Sequence, residues 1–264
     1  VYTAVKVWGD NGYYWGTIKY NNAGIVQWYK LLYCSSWGVP YRILLDSLGN
    51  VYVGGTRANT QTAYVYMGLV KYSPNGVQEW LLMPQINNSY LKFGDMNIDR
   101  GGNICLTGTY TLSNPASDNA IVLKYNKDSV RQWYYLYVGS TNGTSIISDS
   151  LGNIYVAGNS HASTHYLTLK LNSNGVLMWN NTYADGGTAS RWANSIDVDR
   201  NLNVYITGEK NSSNGRLAQT IKYNSSGAQQ WVSIYNNTCN SSNTSSRVGI
   251  YNDNINIAGT ANIL

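Results

Sequence analysis

Asp199-Arg-Asn-Leu-Asn-Val-Tyr-Ile-Thr-Gly208, followed after a variable loop by Ile221-Lys-Tyr-Asn-Ser-Ser-Gly-Ala-Gln-Gln-Trp231, sets the architecture of the chain, because versions of it occur five times. Lysines at Lys19, Lys71, Lys124, Lys170 and Lys222 each stand nine residues ahead of a tryptophan, at Trp28, Trp80, Trp133, Trp179 and Trp231. Successive tryptophans are 52, 53, 46 and 52 residues apart. A period of about 40 to 50 residues, built from short strands and tight turns, is the signature of a β-propeller with one repeat per blade.

Each repeat divides into two hairpins. Asp46-Ser-Leu-Gly-Asn50, Asp99-Arg-Gly-Gly-Asn103, Asp149-Ser-Leu-Gly-Asn153 and Asp199-Arg-Asn-Leu-Asn203 have turn chemistry: Asp accepts backbone N–H bonds and Gly or Asn takes the positive-φ position. Strand-like runs such as Ile154-Tyr-Val-Ala-Gly158 follow. A second hairpin, as in Val70-Lys-Tyr-Ser-Pro-Asn-Gly-Val-Gln-Glu-Trp80, turns at Asn-Gly or its equivalents. With a short apolar stretch before each Asp, a repeat holds four strands, which is one blade.

The chain starts with a hairpin of the second type and stops just after one of the first type, Arg247 to Thr260. The expectation is therefore an all-β, five-bladed β-propeller in one domain spanning residues 1–264. One blade would be composite: residues 1–17 lead into its outer strands and residues 247–260 supply its inner ones, so that no free edges remain. Residues Val1 to Asn11 show no counterpart in the other repeats. They read as an added strand, a lid over the channel, or the remnant of a cleaved segment.

Composition narrows the function classes. Charged residues make up 12% of the chain and aromatics 13%, unlike a disordered segment. The net charge of +5 comes from scattered basic residues with no basic run to neutralise a phosphate backbone, so nucleic acid is not an expected partner. No stretch of about 18 apolar residues appears, so no membrane span is expected.

The pattern Asp-x-x-Gly-Asn-Ile/Val-Tyr-Val/Ile-x-Gly, then Ile/Leu/Val-Lys-Tyr-Asn-x-x-Gly-x-x-x-Trp, resembles the SBBP-type β-propeller repeats of bacterial and archaeal surface and secreted proteins, over about residues 18 to 260. Asp128-Ser129, where Gly is replaced, and Leu171 in place of Tyr depart from it. The resemblance implies an extracellular or cell-surface protein, usually without an assigned activity.

The residues themselves offer few catalytic arrangements. Of thirteen acidic residues, four sit in the repeat turns, and the glutamates are Glu79 and Glu209 alone. Asp95 and Asp197, in or near inner strands, would face the channel, without forming the close pair a glycosidase needs. His161 and His165 lack a third metal ligand. The expectation is a non-enzymatic module with no catalytic residue, metal or cofactor, acting in structure or adhesion through other surface proteins or copies of itself. The alternative is a glycan-binding propeller, and a glycoside hydrolase comes third. Trp8, Trp15, Trp37 and Trp192 stand outside the repeat positions and are the candidate ligand aromatics. Sequons at Asn87, Asn142, Asn180, Asn211, Asn224, Asn236, Asn240 and Asn243 make the chain a candidate glycoprotein if it is exported. Cys105 reads as a buried apolar thiol. Cys34 and Cys239 each follow the last strand of blades that closure makes neighbours, so they form either a disulfide or two free thiols.

Overall fold

The repeated Asp turn builds its own scaffold: in four sheets of the computed structural model the Asp holds its turn and the following Asn, and in three of them a Tyr as well. The structure describes all residues except 36, 59–64, 88, 114–115, 161–163, 188, 214, 236–242, 252–253 and 262–264. Asp149 Oδ1 accepts the backbone N–H groups of Leu151 and Asn153, while Oδ2 accepts Asn153 Nδ2 and the Tyr155 hydroxyl. Asp46 and Asp199 bond their turns and the following Asn and Tyr in the same way. The Asn and Tyr of the repeat are thus the ligands of its Asp.

These turns join antiparallel strands, and no helix is present among the described residues. In chain order the sheets are β1 (Tyr2–Gly9), β2 (Gly12–Tyr20) and β3 (Val26–Tyr33); then β4 (Gly38–Leu45), β5 (Val51–Ala58), β6 (Val65–Tyr72) and β7 (Gln78–Leu82). The next is β8 (Ser89–Ile98), β9 (Ile104–Ser113), β10 (Ala116–Tyr125) and β11 (Arg131–Tyr137). It is followed by β12 (Asn142–Ser148), β13 (Ile154–Ser160), β14 (His165–Leu171) and β15 (Leu177–Tyr183). The last two are β16 (Arg191–Val198), β17 (Val204–Ser212), β18 (Gly215–Tyr223) and β19 (Gln229–Tyr235), then β20 (Asn243–Tyr251) with β21 (Asn254–Ala261).

The closure differs from the expected composite blade. β21 pairs with β20, and the place beside β2 is taken by β1. The register explains why: Tyr2 faces Lys19 as Tyr52 faces Lys71, Tyr155 faces Lys170 and Tyr205 faces Lys222. Val1-Tyr2 is therefore the Val-Tyr of the repeat, and residues 1–11 do have a counterpart. The described residues accordingly form six sheets: four of four strands, one of three and one of two.

Packing between sheets uses the rest of the repeat. Each motif Lys faces its Trp directly across a strand pair, as Lys124 faces Trp133. Both reach the same carbonyl on the next sheet's hairpin turn: Lys19 Nζ and Trp28 Nε1 donate to Pro74 O, and Lys124 Nζ and Trp133 Nε1 to Ser173 O. Lys71 with Trp80, and Lys170 with Trp179, repeat this at Lys127 O and Ser225 O. In three of the receiving turns a Gly leaves room for the indole; at Gly175, with φ of +81°, a Cβ would lie 2.6 Å from the Trp133 ring, and Ser129 takes this place in the turn that receives Trp80. Four apolar clusters fill the spaces between successive sheets, one of them joining Tyr52, Met67 and Leu69 to Leu91, Met96 and Ile121.

A β-bulge in each innermost strand completes the pattern, with register shifts at Pro40/Arg42, Phe93/Asp95, Gly143/Ser145, Ala193/Ser195 and Ser245/Arg247. The bulge presses a carbonyl onto the repeat Gly of the second strand, so that a Cβ on Gly158 would stand 1.8 Å from Asn142 O. Gly158→Ala is expected to cost about 3 kcal/mol, the upper part of the usual overpacking range, measured by urea unfolding. A loss under about 0.5 kcal/mol, the scale of an ordinary surface change, would contradict this packing.

Candidate functional site

The strands have two unlike ends. One carries the Asp turns and the Lys–Trp clamps just described, with their hydrogen bonds internally satisfied. The other carries the β1–β2 hairpin, the starts of the inner strands and the connections between sheets. Exposed aromatics gather there.

Gly9 and Gly12 close the β1–β2 hairpin and put Trp8 opposite Tyr13. Their rings meet edge-on at 4.5 Å, and Tyr13 in turn stacks on Trp37 at 6.0 Å with 29° between planes. Trp8 is 69% exposed and Trp37 59%. Lys6 Nζ lies 3.8 Å from the Tyr13 centroid and 5.4 Å from that of Trp37, a cation–π geometry. Asp10, Asn11 and Ser35 add polar groups around this open bowl.

The bowl is held in place by backbone bonds, which limits the entropy lost when a ligand docks. Tyr13 N–H donates to Ser35 O, Cys34 N–H to Tyr13 O, and Ala58 N–H to Trp37 O. Ser35 takes φ of 62°, and a Cβ on Gly12, itself at φ +127°, would lie 2.7 Å from Ser35 O. The tip of the first hairpin is thus clamped to the connection that carries Trp37.

The other two candidate tryptophans are placed differently. Trp15 is fully buried, and its Nε1 donates to Thr56 O at 3.2 Å, so it is a core residue and not a ligand aromatic. It stands four residues before Lys19, as buried Met67 stands four before Lys71, and that spacing is the signal that marks it as core. Trp192 is half-buried beneath the Arg216 guanidinium, 5.1 Å from its ring, and Arg216 is held by Glu209 at 2.8 Å. Tyr13, Lys6 and Asp10 escaped the sequence reading because nothing in their spacing separates them from other Tyr, Lys and Asp residues.

The five innermost strands, β4, β8, β12, β16 and β20, line a central cavity of about 390 Å³. Arg42, Asp95, Ser145, Ser195 and Arg247 occupy equivalent positions just after the bulges, and Asp197 lies further along β16. Both expected channel carboxylates are therefore present. Asp95 lies 3.4 Å from Arg42 Nε, within ion-pair range but without hydrogen-bond geometry, and accepts bonds from Met96 N–H, Ile146 N–H and the Ser145 hydroxyl. Asp197 accepts from Val198 N–H and Ile250 N–H. Each carboxylate thereby pins its own sheet to the next.

These carboxylates titrate in two opposite senses. Burial pushes Asp95 and Asp197 above the usual carboxylate range, more than Arg42 and the backbone N–H groups pull them down. For Asp46, Asp99, Asp185 and Asp199 burial also pushes upward, but the bonds from Asn50, Lys124, Lys210 and Asn203 outweigh it and leave them below that range. The depressed group stabilises the fold above the unfolded pKa of about 4, and that stability is lost as pH falls through the folded values. The raised pair costs stability when ionised, and the cost fades as pH falls toward the same value. Stability is expected to rise modestly from neutrality to a maximum near pH 4 and then drop. Urea midpoints measured from pH 7 to 2 test this; a monotonic fall from pH 7 would contradict it.

Of the sequons, Asn87 and Asn180 are exposed, Asn180 Oδ1 accepting the Tyr137 hydroxyl, while Asn142 in β12 and Asn224 in a repeat turn are half-buried and accept backbone N–H bonds. Asn211 is half-buried near the end of β17 and Asn243 opens β20. Asn236 and Asn240 lie outside the described residues, as do His161 and Cys239. Among the described residues Cys34 is a free, fully buried thiol, and its expected partner Cys239 lies outside them. Cys105 is also buried, and burial pushes its thiol up to about 12.

An all-β array of four-stranded sheets around a shared cavity is a β-propeller. Residues 137–165 match the family model of the SBBP β-propeller repeat. No curated protein matches the chain in sequence. Solved structures share the fold. A polysaccharide lyase, the PL25 ulvan lyase bound to -[GlcA(1-4)Rha3S]-, aligns over 90% of this chain and 64% of its own, with TM-score 0.60 and 9% identity. PorZ, a bacterial surface component of the type-IX secretion system of Porphyromonas gingivalis, aligns over 98% of this chain and 37% of its own, with TM-score 0.53 and 13% identity. The exo-β-1,3-galactanase 1,3Gal43A of Clostridium thermocellum aligns over 87% and 53%, with TM-score 0.50 and 10% identity. This chain thus spans less than two thirds of each of these proteins. At such identities the likeness is one of fold.

The expectation of a non-enzymatic module is corrected by these likenesses. Two of the three propellers are enzymes, so the architecture supports catalysis and a small number of carboxylates does not exclude it. The propeller brings distant inner strands together, so that Asp95 and Asp197 both line one cavity, as their places in or near inner strands led us to expect.

Proposed function

We propose that the chain is an extracellular adhesion module that binds carbohydrate through the bowl formed by Trp8, Tyr13 and Trp37. The observation that carries this reading is the pair of tryptophans, each more than half exposed, gathered about one tyrosine on a rigid backbone clamp. Leaving large rings in water forgoes the burial they normally gain, and a contiguous exposed apolar patch usually marks an interaction site. Flat rings suit the apolar faces of pyranoses, while Asp10, Asn11 and Ser35 at the edge supply partners for hydroxyl groups. A fold shared with a polysaccharide lyase, a galactanase and a bacterial surface component supports an extracellular setting and a carbohydrate ligand. Exposed Asn87 and Asn180 are then the sequons best placed to carry glycans.

Affinity electrophoresis through gels containing galactan, xylan, pullulan or alginate tests the reading. At least one polysaccharide is expected to retard the protein. Failure of all four would sink it.

A further inference from the structure

A second aromatic station lies on the same end of the strands, where the inner strand of the next sheet begins. We propose that the ligand is a linear polysaccharide bound internally over several sugar units, running from the Trp8–Tyr13–Trp37 bowl to a ledge formed by Tyr41 and Phe93. This rests on the carbohydrate reading above and adds the form of the ligand. Tyr41 is the extra residue of the β4 bulge, 61% exposed, and its ring stacks on Phe93 at 6.2 Å with 8° between planes. Bulges re-aim side chains, and here the bulge presents a ring where the other inner strands carry Gly94, Thr144, Asn194 and Ser246. Phe93 is the single phenylalanine of the chain.

The ledge borders a cavity of about 620 Å³ that also includes Thr56, Tyr90, Lys92 and Thr111, which offer hydroxyl and ammonium groups beside the rings. Tyr41 and Gly94 lie on the central cavity as well, so the ledge sits at its mouth. Continuity between the stations comes from the chain itself. Trp37 and Tyr41 are four residues apart, which in extended backbone is about 13 Å, longer than a single pyranose. The two stations are also joined through the core: Trp15, two residues along β2 from Tyr13, bonds the carbonyl of Thr56, and Thr56 lines the ledge cavity. A terminal sugar would occupy the bowl alone; a chain would use both.

Oligosaccharides released from the retarding polysaccharide, titrated calorimetrically as a ladder from two to six units, separate these cases. The hexasaccharide is expected to bind at least about tenfold more tightly than the disaccharide. Tyr41→Ala and Phe93→Ala should each remove most of that gain while leaving disaccharide binding intact, and Tyr41→Phe should keep it. Trp37→Ala should weaken both lengths. Equal affinity for the two lengths, or a gain that survives Tyr41→Ala, would overturn the proposal while leaving carbohydrate binding standing. Absence of binding to every gel polysaccharide would remove the carbohydrate reading, and this proposal with it.

Discussion

Asp99→Ala is expected to lower the unfolding free energy by about 3–5 kcal/mol, the range for removing one partner of a buried ion pair. Lys124 Nζ lies 2.8 Å from Asp99 Oδ2, and the two side chains are only 8% and 4% exposed. Asp99 also accepts bonds from Gly101 N–H, Asn103 N–H and Asn103 Nδ2, so alanine takes away the turn's organiser as well as the counter-charge. What remains is an ammonium group in the clamp to the next sheet, sharing Ser173 O with Trp133 Nε1. Urea unfolding at pH 7 reads the loss. Replacing Lys124 with Met in the same protein should recover part of it, because no charge is then left without a partner. A cost for Asp99→Ala under about 1 kcal/mol, the scale of an exposed pair, would show that solvent reaches the clamp.

The second large effect is on binding. Trp8→Ala and Trp37→Ala are each expected to weaken polysaccharide binding by about 30-fold or more, equivalent to the 2 kcal/mol of an interface hot spot. Both residues are exposed, so their loss should leave the unfolding midpoint nearly unchanged. Trp15→Ala provides the contrast. That residue is fully buried, and its truncation should cost about 3–5 kcal/mol of stability through the cavity it leaves. Retardation in the affinity gel, read beside urea midpoints, separates the two kinds of tryptophan. Undiminished binding by Trp37→Ala would place the ligand elsewhere.

Much of the fold is legible along the chain because the repeat is local. The nine-residue spacing from Lys to Trp is the distance across one hairpin, and the structure places the two side chains opposite each other. Asp-x-x-Gly-Asn-x-Tyr is legible for the same reason, since every partner of the Asp carboxylate in that turn lies within six residues. β1 was not legible: Val1-Tyr2 is too short a fragment of the motif, with no Asp turn before it, and only its pairing with β2 reveals it.

The site divides in the same way. Trp8 and Trp37 stood out because they fall outside the repeat positions, but so did Trp15, whose place four residues before Lys19 matches that of buried Met67 before Lys71. Tyr13, Tyr41 and Phe93 become visible only when a hairpin, a bulge and a neighbouring sheet bring them beside other rings. Asp95 and Asp197 are about 100 residues apart, yet the radial arrangement of sheets sets both on one cavity.

Carbohydrate binding at the bowl is tested most directly by following tryptophan fluorescence as the retarding polysaccharide is added to the wild-type protein and to a Trp8→Phe/Trp37→Phe variant. A saturable change in the wild type that is lost in the variant is the predicted result. An equal change in both, or none in the wild type, would contradict the assignment of this bowl as the carbohydrate site.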